Sequence, residues 1–295
     1  MTRLHHDQLA KEYIASLLKP WGQVETSKHV ASEVRQIDVY FEPSSERDNR
    51  RAELGLLGKI ASRTCLIEVF RNAPSLVQIR SCKLKLYENH GELIRKARRD
   101  KQNLAEEDLP LLWILSPTLS QTIIAKLGAQ QHDDWSEGVY FQPAGEKVAL
   151  VAINQLPETY QTLWLRILGR GRTQKKAIEE VVKLEDSLPW VPNILEILAN
   201  WRLNLQIRQN LDSSEQKELF MNLSPAYFRW REDTLQEGRQ DMVENLLAVR
   251  FGVLDAPLKS AIPPMLKLPP SELSALLLTL SREEILTRFN EGSQK

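Results

Sequence analysis

Apolar side chains recur at helical spacing from the start of the chain. Leu9, Tyr13, Ile14, Leu17 and Leu18 fall on one face of residues 6–19, and Pro20-Trp21-Gly22 ends the run. The period then shortens to two. Val24, Thr26, Lys28 and Val30 alternate with polar neighbours, and Ile37, Val39 and Phe41 alternate with Asp38, Tyr40 and Glu42 before Pro43. This predicts two paired strands. Residues 44–51 read as a charged loop, 54–61 as a short apolar helix, and Cys65-Leu66-Ile67-Glu68-Val69-Phe70 as a buried central strand. A long helix is expected from Pro74-Ser75 to about Arg99, because Leu76, Ile79, Cys82, Leu86, Tyr87, Leu93 and Ile94 form one stripe. Strands follow at 111–115, 139–141 and 148–153, then helices at 161–168, 173–183 and 193–210.

Helices and strands interleaved in this way predict one α/β domain over residues 1–185. Residues 186–237 are expected as a helical connector, and 238–295 as a small all-α C-terminal domain. In that last part Gly238 is expected to interrupt the helix, 242–251 to resume it, and Pro269-Pro270-Ser271 and the Ser281/Glu284 capping box to open the last two helices. So small a domain buries a modest core, which points to docking on a partner or on a second copy of the chain.

Composition narrows the function classes. Lys plus Arg and Asp plus Glu both number 39, so any nucleic-acid contact must be a local patch rather than a global charge. Cys65 and Cys82 lie in apolar segments and read as buried free thiols of a reducing compartment. With no export segment and no apolar run near the roughly 18 residues that span a bilayer, the expected address is cytoplasmic, with no membrane partner. His5 and His6 are adjacent and lack zinc-ligand spacing, and Gly169-Arg170-Gly171 lacks the lysine of a phosphate loop.

The informative chemistry is acidic. Asp38 alternates with apolar Ile37 and Val39, and Glu68 stands inside an otherwise apolar strand. A carboxylate there must be solvated, paired or bound to a cation, and two of them converging on one edge could hold Mg²⁺. The plainer account has Asp38 starting a turn and Glu68 pairing with Arg71 or Arg63.

The order of elements, a helix with His6-Asp7 and Lys11, a hairpin ending in Ile37-Asp38, then Leu66-Ile67-Glu68 backed by a long helix, resembles the PD-(D/E)XK nuclease superfamily. Within it the chain resembles the transposase-related Rpn family of recombination-promoting nucleases, of cyanobacterial type. Further resemblance lies in 111–117, 138–141, 152–157 and 162–169. Residues 237–290, with Glu237-Gly238-Arg239-Gln240 and Arg250-Phe251-Gly252, are similar to a small domain of unknown function often appended to such nucleases.

The resemblance implies a three-layer restriction-endonuclease-like core with a mixed central sheet. It implies DNA cleavage with Mg²⁺ or Mn²⁺, Asp38 and Glu68 being the metal ligands. The family's catalytic lysine, two residues after the glutamate, is here Phe70. Lys83, near the centre of the helical stripe, is the expected replacement, with a structural ion pair as its alternative; Lys85 is expected on the exposed side. Residues 71–101 hold nine basic against three acidic residues. Arg71, Arg80, Arg95, Lys96, Arg98 and Arg99 are the expected phosphate contacts. Two functions stay open: an active endonuclease, or a degenerate nuclease fold that binds DNA or protein.

Overall fold

The computed structural model describes residues 2–30, 35–44, 49–184, 188, 190–207 and 214–290. Helix α1 (Thr2–Leu18) closes on a single turn at Lys19–Trp21, where Pro20 cannot continue the helical hydrogen bonding. Strands β1 (Gly22–Val30) and β2 (Arg35–Pro43) pair antiparallel, as the alternation predicts. Gly22 is required there: a Cβ would stand 2.2 Å from the Glu42 carbonyl oxygen. After α2 (Gly55–Ile60) comes β3 (Cys65–Val69), antiparallel to β2 with Val39 opposite Ile67 and Tyr40 opposite Leu66. One more step of that register sets Asp38 across from Glu68.

Helix α3 (Leu76–Arg99) is opened by a reciprocal cap: the Gln78 N–H donates to Ser75 Oγ at 3.3 Å and the Ser75 N–H to Gln78 Oε1 at 2.9 Å. It is the crossover that a parallel pair demands, because β4 (Leu111–Ser116) runs parallel to β3. Helix α4 (Gln121–Lys126), which no periodicity announced, precedes β5 (Val139–Phe141); β6 (Val148–Ala152) then pairs parallel with β4 and antiparallel with β5. The described residues thus contain a six-stranded mixed sheet in the order β1-β2-β3-β4-β6-β5.

One face of the sheet packs Leu66, Leu112, Ile114 and Leu150 against Ile79, Cys82 and Leu86 of α3 and Ile124 of α4. Each such apolar side chain contributes roughly 1.5–3 kcal/mol. All five residues of β3 and of β6 are buried, so the strands are covered on both faces, as parallel pairing requires. Cys65 and Cys82 are buried free thiols, and burial pushes Cys65 up to about 12.

The helix expected at 161–168 contracts to a turn plus α5 (Leu163–Arg166). Its Arg166 is fully buried, accepted by Glu180 of α6 (Gly171–Val182), the Thr162 hydroxyl and the Thr159 carbonyl. Helix α7 (Val191–Ile207) packs on α1: Asn193 donates to Ser16 Oγ, and Trp190 meets Trp21 edge to face at 5.9 Å. Compactness divides the chain at Tyr227/Phe228, so the boundary expected at residue 185 lies inside the first unit. That boundary missed the docking of α7.

The division falls within α8 (Ser214–Phe251), which runs on through Gly238. The expected interruption is corrected: a glycine keeps its N–H and costs a helix interior only about 1 kcal/mol, unlike an interior proline. The second unit adds α9 (Ala256–Leu266), α10 (Pro270–Thr279) and α11 (Arg282–Asn290). Its own core gathers Val243, Leu247, Leu258, Ile262, Leu277 and Ile285. The Ser281/Glu284 box forms as expected, the Ser281 N–H donating to Glu284 Oε2 at 2.7 Å. No helix among the described residues is long and apolar enough to cross a membrane.

Candidate active site

Asp38 and Glu68 are brought together by the β2–β3 register, one on each strand. Asp38 is held from two sides. Its Oδ2 accepts the Val69 N–H at 3.0 Å, tying it to the residue next to Glu68, and its Oδ1 meets the ammonium of Lys11 from α1 at 2.9 Å. Glu68 is almost wholly buried, and Lys85 of α3 donates to both of its oxygens, at 2.8 and 2.9 Å. Burial pushes Glu68 up to about 7, the neighbouring Asp38 charge adding to the effect and Lys85 opposing it. Burial works to lower Lys85, but the Glu68 charge and hydrogen bond outweigh it and the net direction is upward. The two directions concern different balances: the pair keeps Lys85 charged without fully offsetting the cost of an ionised Glu68.

The pair opens on a cleft of about 350 Å³, walled by residues 68–73 and by Gln78, Ser81, Cys82 and Lys85. Phe70 lines it and packs on the core beneath. Arg71 and Asn72 are at its wall, and the Arg170 guanidinium reaches across to Asn72 Oδ1. Asn154 in turn accepts the Arg170 backbone N–H at 3.1 Å. The side chains of His5, His6 and Asp7 lie outside the described residues.

Lys83 does not join this cleft, and the expectation for it is corrected. Its ammonium bonds Glu146, which also accepts the Tyr87 hydroxyl at 2.7 Å, and Gln142 Oε1 at 3.2 Å. The Lys83 and Tyr87 bonds hold Glu146 below the ordinary carboxylate range. The physical reason is rotational. Lys83 and Lys85 stand about 200° apart around the helix axis, on opposite flanks of the buried stripe. From one flank Lys85 reaches Glu68 on β3; from the other Lys83 reaches Gln142 and Glu146 in the connection between β5 and β6. Lys85, expected to be exposed, instead curls its stem over the helix flank and is only 15% exposed. The cue available in the sequence was reach: a lysine beside an apolar stripe can serve a buried acid, whereas a wheel assigns it only a direction.

The expected phosphate contacts scatter. Arg80 and Arg98 are exposed on α3. Arg95, Lys96 and Arg99 line a separate cavity of about 610 Å³ together with Glu25, Glu42 and Glu92, so three acids offset the three bases there. Only Arg71 of the expected set lies at the acidic cleft, and Arg170 joins it from a segment that sequence reasoning set aside.

Among the described residues no cluster of three or more His, Cys, Asp or Glu is assembled. The donor set still fits a hard divalent cation. Mg²⁺ commonly uses one or two carboxylates and completes its shell with water and substrate phosphate. Each carboxylate oxygen retains acceptor capacity beyond its present donor, and after burial the neighbouring Asp38 charge is what pushes Glu68 up, a repulsion that a shared cation would relieve. Comparison with family models, curated proteins and solved structures finds no match.

Proposed function

We propose that the first unit is a restriction-endonuclease-like nuclease, a three-layer α/β core that hydrolyses DNA phosphodiesters with Mg²⁺ or Mn²⁺. The observation that carries the reading is the meeting of Asp38, Glu68 and Lys85 in one cleft, from two adjacent strands and the crossover helix behind them. The order of elements supports it: a helix, a hairpin ending at Asp38, a buried strand carrying Glu68 and a long helix behind it are the order on which the Rpn resemblance rests. Recombination or mobile-element biology rests on that resemblance alone.

Asp38 and Glu68 would hold the cation, which when bound polarises the phosphodiester and makes water more acidic. Lys85 takes the place that Phe70 vacates: its ammonium, fixed against Glu68, offsets charge gathering on the phosphoryl oxygens and orients water in the cleft. Lys11 and the Val69 N–H fix the Asp38 carboxylate. Arg71 and Arg170 offer positive charge at the rim for flanking phosphates.

The test is cleavage of plasmid DNA with Mg²⁺ or Mn²⁺. The intact chain is expected to cut, and Asp38→Ala and Glu68→Ala to abolish cutting; cleavage undiminished in Asp38→Ala overturns the assignment. A second reading, a degenerate nuclease fold that binds DNA or protein, is favoured by one observation: every oxygen of the acidic pair already has a protein donor. DNA retention without cleavage in either ion would select it.

A further inference from the structure

In the second unit, α8 has two apolar faces. One carries Val243 and Leu247 into the unit's core. The other carries Phe228, Leu235, Met242 and Val249, the exposed large apolar side chains of this part of the helix, each seven residues from the last. Leu235 is 58% and Val249 85% exposed. An amphipathic surface helix normally sets charge opposite its core face. A seven-residue period drifts only about 20° per repeat, which a shallow left-handed wrap of two helices removes.

Gly238 lies on the same outward face, one turn from both Leu235 and Met242. A Cβ built there meets no atom within 4 Å, so nothing among the described residues explains so poor a helix former at an exposed interior position. A second helix crossing close at that point does explain it, as small residues let backbones approach.

We propose that this stripe is a self-association surface that pairs α8 of one copy with α8 of a second copy of this chain, closest at Gly238. The charges favour a copy over other occupants. Arg231, seven residues before Gly238, lies on the face itself with Glu232 to one side and Asp241 to the other, so the surface carries both signs, and the chain carries 39 basic and 39 acidic residues, so two copies meet without net repulsion. An anionic lipid surface would select basic flanks instead. From Phe228 to Val249 the helix runs about 33 Å, enough for a side-by-side pair to approach the ~800 Å² per partner of a standard interface.

The test is sedimentation equilibrium of the full chain between about 1 and 100 µM, a range that brackets micromolar association. A dimer is expected, with Leu235→Glu/Met242→Glu raising its Kd at least about a hundredfold through loss of two central anchors. Circular dichroism is expected to show that variant's helix content unchanged. Gly238→Leu separates the crossing from simple stickiness: it improves helix propensity yet is expected to weaken the dimer. A monomer throughout the range, a double variant that dimerises as the parent does, or a monomer that binds phosphatidylglycerol vesicles through Leu235 overturns the proposal.

Discussion

Glu68 concentrates the energetics of the site. Its ordinary value is 4.5, and in the fold it stands near 7. Between those values the folded chain holds a proton that the unfolded chain has lost, so this residue's contribution to stability falls as pH rises through that window and levels off above about 7. Glu68→Gln removes the slope. Thermal melts at pH 5 and pH 8 are expected to show the variant gaining on the parent at the higher pH, on the order of 2 kcal/mol; parallel behaviour at both would contradict the burial account. The same window sets activity under the nuclease reading, because a protonated Glu68 cannot ligate a cation. The two lysines provide a second residue-scale test. Lys85→Ala is expected to cost cleavage about 100-fold or more, while Lys83→Ala, which loses its Glu146 and Gln142 bonds and its contact with the Tyr87 ring, stays within a fewfold of the parent. The reverse order in a single-turnover assay would return the role to Lys83.

At the level of elements, the Arg166–Glu180 pair joins α5 to α6, with the cation sealed and the anion 40% exposed. Glu180→Ala leaves a buried guanidinium with the Thr162 and Thr159 oxygens alone and is expected to cost about 3 kcal/mol in urea unfolding. Arg166→Met is expected to be milder than Glu180→Ala, since it removes the charge instead of stranding it. Most elements were legible in the sequence because period two and period 3.6 are imposed by burial: β1, β2, β3 and α3 all appear where alternation and stripe place them. The acidic pair was legible too, since a glutamate inside an apolar strand requires a partner. What escaped was set by tertiary choice. The short α4 is too brief to show a period, the turn before α5 is fixed by Arg166, and Lys85 is selected by which flank of α3 lies within reach of Glu68. Arg170 reaches Asn72 from 98 residues away, and no local pattern foretells that contact.

For the whole molecule, the docking of α7 on α1 carries the first unit beyond residue 185. A chain ended at residue 185 would expose the α1 surface that α7 covers and strip away buried Val191, Ile194 and Leu198. It is expected to be aggregated or markedly less stable, whereas one ended at residue 227 keeps a cooperative melt; equal melting temperatures for the two would show that α7 is dispensable.

Lys85 comes from α3 while both carboxylates belong to strands, and the consequence is evolutionary. Replacing that lysine by a neutral residue leaves Glu68 to stay protonated in its apolar setting, so the scaffold survives the loss. Under the nuclease reading, a lineage abandons hydrolysis by one codon change while keeping the same shell for recognition, and regains it just as cheaply.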